Sequence, residues 1–132
     1  MITVIDASAA LEVVLRRKFA DKLASYLSQA KWVIAPTLFI SEVSNALWKY
    51  HRFTDLPLET CERCLEQAVA LPDEFFSERE FYREAFMLSC TADHPIYDIV
   101  YLVLARRNNA FLLTLDRRLA KLAQKFSLRT MS

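Results

Sequence analysis

Short continuous apolar runs alternate along this chain with stretches in which apolar residues recur every three or four positions. The runs Ile2-Thr3-Val4-Ile5, Trp32 to Ala35 and Phe111 to Leu115 read as buried strands, and Phe75-Phe76 as a short one. Between them the spacing turns helical. Residues 8–29 predict two helical stretches hinged near Arg16 to Lys18, with apolar positions at Leu11, Val14, Leu15, Leu23 and Leu27. Pro36 ends the second strand and Thr37 opens a helix to Tyr50. Asp55-Leu56-Pro57 reads as a cap with a first-turn proline, starting a helix that Pro72 closes near Leu71. Ser77 with Glu80 three positions later is a capping-box pattern for a helix from Glu78 to Thr91. Further helices are expected from Pro95 to Arg107 and from Arg117 to Phe126, and Leu128 to Met131 as a last strand. The alternation predicts an α/β fold: a central, mostly parallel sheet of four to five strands with helices on both faces.

Composition narrows this further. The 132 residues are 54% hydrophobic and contain no linker-like tract or repeat, so one domain over residues 1–132 is expected. No glycine occurs anywhere, which excludes a dinucleotide-binding G-x-G-x-x-G turn, a Walker A loop and a G-x-S-x-G nucleophile elbow. Asn108 or Asn109 is the expected left-handed residue where the Arg107 helix ends. Asp6 interrupts the first apolar run, so no secretory leader is expected, and no apolar stretch approaches the roughly 20 residues of a membrane helix. Cys61, Cys64 and Cys90 fit no disulfide framework, which predicts free thiols and a cytoplasmic protein. The Cys61/Cys64 spacing lacks the second pair that a zinc site needs. A formal charge of +1 excludes a strongly polyanion-seeking surface overall but permits a local basic patch.

The candidate chemistry lies in four acidic residues. Asp6 and Asp116 each close an apolar strand run, whereas Glu42 and Asp98 sit within hydrophobic helical patterns that begin after Pro36 and Pro95. Ligands of open α/β sheets bind beyond the carboxyl ends of parallel strands, so the four are expected in one pocket. Two carboxylates about 4 Å apart repel by roughly 4 kcal/mol at an effective dielectric of 20, and a divalent cation removes that cost. Carboxylates are hard ligands for Mg²⁺ or Mn²⁺, which suggests metal-assisted phosphodiester chemistry. Taken singly, each acid has a plainer reading; Asp116, for example, is a good helix cap.

These segments resemble the PIN-domain ribonucleases, in particular the VapC-type toxins of toxin–antitoxin pairs, over nearly the whole chain. Val4-Ile5-Asp6-Ala7-Ser8-Ala9 is similar to the opening strand and first aspartate, and Pro36 through Glu42-Val43-Ser44-Asn45-Ala46-Leu47 to the second motif. Pro95 to Ala105, around Asp98, resembles the third motif and Leu113-Thr114-Leu115-Asp116-Arg117-Arg118-Leu119 the fourth. Asn108-Asn109 stands where the family usually carries glycine before its fourth strand. The resemblance implies that Asp6, Glu42, Asp98 and Asp116 hold one or two Mg²⁺ or Mn²⁺ ions and carry the hydrolysis of RNA. Ser8, Asn45 and Thr114 are supporting candidates, Ser8 and Thr114 as hydrogen-bond donors and Asn45 as a neighbour of Glu42 on one helical face. It also implies a cognate antitoxin, whose apolar helix would lie in a groove and send a basic side chain into the acidic pocket.

Other readings compete. A haloacid-dehalogenase-type phosphotransferase or a receiver domain also uses an aspartate after its first strand, but Asp6-Ala7-Ser8 lacks the second aspartate and no late phosphate-contacting lysine is evident. A non-catalytic module that binds RNA or protein on the same fold is the alternative outside enzymology. His94, before Pro95, reads as a turn residue within reach of the pocket. The aromatic residues Phe75, Phe76, Phe81, Tyr82 and Phe86 read as core or as the face of a homodimer. Arg16, Arg17, Lys18, Arg117 and Arg118 read as solvated surface, or as attractors of phosphate if they rim the pocket.

Overall fold

The structure is a computed structural model that describes residues 1–131. Its four strands are β1 (Ile2–Ile5), β2 (Trp32–Pro36), β3 (Glu74–Phe76) and β4 (Phe111–Leu113), ordered β3-β2-β1-β4 with every neighbouring pair parallel. Consecutive residues Val4-Ile5, Val33-Ile34-Ala35 and Phe111-Leu112-Leu113 are all buried, so both faces of the sheet are covered. The helices are α1 (Ala7–Val14), α2 (Ala20–Gln29), α3 (Leu38–Thr54), α4 (Leu58–Val69), α5 (Tyr82–Ala92), α6 (Ile96–Arg107) and α7 (Arg117–Lys125). α6 is the central one: Ile99 to Ala105 are buried without interruption, and the helix packs against β1, β2 and β4.

Local chemistry explains where the elements depart from the expected boundaries. Asp55 does not cap the following helix; it takes the left-handed conformation (φ 58°) that ends α3, its N–H bonded to the Tyr50 carbonyl, and α3 therefore runs to Thr54. Ser77 does accept a bond from a backbone N–H, that of Arg79, but only a 3-10 turn over Glu78–Glu80 follows before Phe81 breaks the chain and α5 begins. The Glu78 carboxylate instead reaches across to the start of α3, accepting from Leu38 N at 2.9 Å and Thr37 Oγ1 at 2.6 Å. A negative charge there satisfies an orphan helix N–H and opposes the positive end of the helix dipole.

The expected strand at Leu128 to Met131 shrinks to one parallel bridge, Leu112 with Thr130, in which Leu112 N bonds Arg129 O. β4 also stops two residues early. Leu115 N donates to Ser8 Oγ at 3.0 Å and Asp116 N to Thr114 Oγ1 at 2.9 Å, so the amides that would extend the ladder serve side chains at the strand end. Without glycine, the left-handed positions fall on Arg16, Asp55, Asp93, Asn109 and Ser127. Arg16 is the hinge between α1 and α2, and Asn109 ends the α6 turn as expected.

Candidate active site

The order β2-β1-β4 sets the carboxyl ends of β1 and β4 side by side, and Asp6 N bonds Leu113 O at 3.2 Å. Asp6 leaves β1 and caps α1, and Asp116 follows β4 and caps α7. Asp6 is only 5% exposed. Its Oδ1 accepts from Ser8 Oγ at 2.7 Å and Ala9 N at 2.9 Å, and its Oδ2 from Thr114 Oγ1. Burial pushes its carboxyl up to about 6; the bonds from Thr114, Ala9 and Ser8 pull the other way, and the Asp116 charge adds to the rise.

The other two acids come from helices. Glu42 on α3 accepts at Oε1 from Tyr101 Oη on α6 at 2.6 Å. Burial raises the Glu42 carboxyl, the Tyr101 bond lowers it and the Asp98 charge raises it. Tyr101 is itself buried, and its phenol is driven upward by that burial and by Glu42, with a smaller contribution from Asp6. This tyrosine therefore ties α6 to Glu42 on α3. Asp98 is anchored from the α5–α6 turn, where His94 Nε2 lies 2.8 Å from Asp98 Oδ2, the side chains 12% and 27% exposed. Asp116 Oδ1 accepts from the N–H groups of Arg118 (2.9 Å) and Leu119 (3.4 Å).

Of the expected supporting residues, Ser8 and Thr114 sit within this network and lie 3.4 Å apart. Asn45 is exposed on α3 and makes no side-chain hydrogen bond among the described residues. Tyr101 had no mark in the sequence as a site residue, although a tyrosine three positions after Asp98 in a buried helix needs a polar partner for its hydroxyl. His94 is more than a turn residue. Cys61 and Cys64 are buried on α4 and Cys90 is exposed; all three are free thiols.

Three oxygens, Glu42 Oε2, Asp98 Oδ1 and Asp116 Oδ2, have no hydrogen-bond partner among the described residues, while the opposite oxygen of each carboxylate is anchored. The ion pairs of the described residues give Asp6, Glu42 and Asp116 no basic partner. Anchored, uncompensated carboxylates are a donor set that fits a hard divalent cation. No three His, Cys, Asp or Glu side chains among the described residues are grouped closely enough to hold a metal ion between them. A divalent cation that keeps several waters needs only one or two carboxylates together with substrate phosphate oxygens.

An all-parallel sheet with Asp6 and Asp116 at the carboxyl ends of its adjacent strands β1 and β4 defines the class, and residues 3–125 match the PIN domain; the chain belongs to the PIN-domain family. Among its relatives, Ribonuclease VapC3 of Pyrobaculum aerophilum is 32% identical over 89% of this chain and 92% of its own length. The crystal structure of PAE2754 from Pyrobaculum aerophilum matches with a TM-score of 0.73 at 23% identity, covering 92% of this chain and 86% of that one. VapBC2 of Rickettsia felis, solved bound to a DNA fragment from its promoter, matches with a TM-score of 0.67 at 12% identity over 99% and 98% of the two chains. These two structures agree with the fold.

Tyr101→Phe tests the hold on Glu42. The substitution keeps the ring and removes the donor to Glu42, so the Glu42 carboxyl should rise further. The acid limb of the pH–rate profile for RNA is expected to move to higher pH, with stability lower by about 1–2 kcal/mol in urea melts. An unmoved acid limb would separate Tyr101 from the chemistry.

Proposed function

We propose that this chain is an endoribonuclease dependent on Mg²⁺ or Mn²⁺, and that it acts as the toxin of a toxin–antitoxin pair. The observation that carries the reading is the set of four carboxylates, each held by hydrogen bonds and none paired with lysine or arginine among the described residues, in a PIN-domain chain 32% identical to a ribonuclease. Asp6, Glu42, Asp98 and Asp116 are the residues assigned to hold the ion, directly or through water. When bound, the ion supplies a water of lowered pKa and neutralises charge on the leaving oxygen of the phosphodiester. The chain's own work is orientation. Ser8, Thr114 and the Ala9 N–H hold Asp6, Tyr101 holds Glu42, His94 holds Asp98, and the first turn of α7 holds Asp116. No side-chain nucleophile is required.

The remaining assignments rest on the same reading. The chain works as one domain over residues 1–132, supported by one continuous core cluster. No helix among the described residues is long and apolar enough to cross a membrane, and free thiols together with an RNA substrate suit the cytoplasm. A cognate antitoxin is the proposed inhibitor. A second copy of the chain is the proposed occupant of the cleft between α3, α5 and α6, around which Ile40, Tyr82, Phe86, Met87 and Tyr97 are exposed; a monomer by sedimentation would remove that assignment.

The deciding experiment incubates the protein with a fluorescent RNA in Mg²⁺, Mn²⁺ or EDTA. Cleavage with either ion and none in EDTA is the expected result. RNA binding without cleavage in any condition would favour a non-catalytic binding module.

A further inference from the structure

The carboxylates explain what happens at one phosphate and leave the rest of a polyanionic strand unaccounted for. An RNA chain approaching Asp98 and Asp116 meets negative charge, and an ion there compensates it only locally. The neighbouring phosphates need a cationic surface beside the site.

Such a surface adjoins the site. A cleft of about 660 Å³ lies between the α5–α6 turn and α7, lined by Ala92, His94, Arg118, Lys121, Leu122, Gln124 and Lys125. It has three cations and no carboxylate in its lining, in a protein whose overall charge is only +1. None of the three enters the ion pairs of the described residues. Their spacing follows the helix: Leu119, Leu122 and Ala123 are buried in the core, while Arg118, Lys121 and Lys125 recur at i, i+3 and i+7 and are exposed. From Arg118 to Lys125 the row spans about 10 Å at a rise of 1.5 Å per residue.

The cleft meets the acidic site at two points. His94, which lines it, is bonded to Asp98, and Arg118, which also lines it, donates its backbone N–H to Asp116. Both contacts are made by residues that belong to the cleft and touch a site carboxylate, so a strand in the cleft runs directly to the acids. Free cations in an open row suit successive phosphates of a flexible strand better than an enclosed small anion.

We propose that this cleft is the track for the RNA backbone adjoining the scissile phosphate, with Arg118, Lys121 and Lys125 as its phosphate contacts. The assignment rests on the ribonuclease reading for its substrate, yet binding can be measured apart from cleavage. In EDTA, a fluorescent single-stranded RNA is titrated by anisotropy between about 50 and 200 mM salt, the range over which phosphate contacts weaken steeply. The test variant is R118Q/K121Q/K125Q, which leaves the backbone N–H to Asp116 in place. The control is K31Q/R63Q/R129Q, with the same change in charge, Lys31 and Arg129 lying around a separate cleft with Met1 and Ile2 at the start of β1. Circular dichroism establishes that both remain folded.

With about 0.7 in log–log salt slope per phosphate contact on a single strand, the test variant should lose about 2 in slope while the control keeps its slope. Where cleavage is active, KM for RNA should rise at least tenfold with kcat within about twofold, the pattern of lost ground-state binding. An unchanged slope in the test variant, or an equal loss in the control, overturns the track. So does a greater loss of binding to poly-glutamate than to RNA, which would assign the cleft to an acidic protein segment. Wild-type RNA binding that is lost in the test variant, without cleavage of any RNA, would overturn the nuclease reading and leave the track standing.

Discussion

Asp6→Asn is expected to make the metal-free protein more stable at neutral pH while abolishing cleavage of RNA. The stability gain follows from the buried carboxyl, raised from 3.8 to about 6. A carboxyl with a raised folded pKa holds its proton more tightly in the native state than in the unfolded chain. It therefore contributes stability that is present below about pH 4 and lost as pH rises through about 6. A shift of this size corresponds to about 3 kcal/mol. Asparagine carries no charge to bury, and its carbonyl oxygen can keep the bonds from Ser8 and Ala9. The amide N–H then faces Thr114, whose hydroxyl must turn to accept it, so a net gain of about 1–2 kcal/mol at pH 7.5 in EDTA is expected, below the full electrostatic cost.

The variant should also show a flatter dependence of stability on pH between 4 and 7. Its kcat should fall on the order of 10³-fold, which corresponds to about 4 kcal/mol of lost transition-state stabilisation. Urea melts across pH and single-turnover cleavage check the two halves. A variant with wild-type pH dependence would mean that Asp6 is not the titrating group, and one that cleaves normally would remove it from the active site.

Mg²⁺ or Mn²⁺ should raise the melting temperature of the wild type by about 10 °C at a concentration of 100 Kd, because a ligand that binds only the native state contributes about 2.7 kcal/mol there. The carboxylates must be ionised to hold it, so the increment should shrink as pH falls below 6, where Asp6 takes up its proton. EDTA should reverse the increment. In D6N/E42Q/D98N/D116N it should vanish, and an undiminished increment in that variant would place the metal elsewhere. Read with Asp6→Asn, the experiment separates the two sides of one property: the charge that destabilises the empty protein is the charge that binds the ion.

Much of the fold was legible because local chemistry and burial agree along most of the chain. The runs at Ile2–Ile5, Trp32–Pro36 and Phe111–Leu113 are too short and too continuously apolar for surface helices, and all three became buried parallel strands. Asn108 or Asn109 could be expected in the left-handed region because no glycine was available, and the structure places Asn109 there. The failures fall where two local readings compete. Asp55 before Leu56-Pro57 suits the start of a helix as well as the end of one, and the pairing of its N–H with Tyr50 decided for the end. Glu78 had an apparent place in its own helix, but the start of α3 lay within reach across the fold.

The order and type of the four acids, the absence of glycine and the strand–helix alternation are properties of the sequence alone. They determined the fold class and set the expectation of a hard cation before any distance was known, because apolar periodicity dictates which faces are buried and carboxylates favour such ions. Tertiary structure alone decided that Asp6 and Asp116 follow the adjacent ends of β1 and β4, and that Tyr101 and His94 hold Glu42 and Asp98. It also decided that the cations of α7 line a cleft together with His94, which is bonded to Asp98. Tyr101 meets Glu42 across 59 positions and Thr114 meets Asp6 across 108, and no local pattern encodes either contact. They arise when the hydrophobic faces of α6 and β1 meet and bring their polar ends to one edge of the sheet.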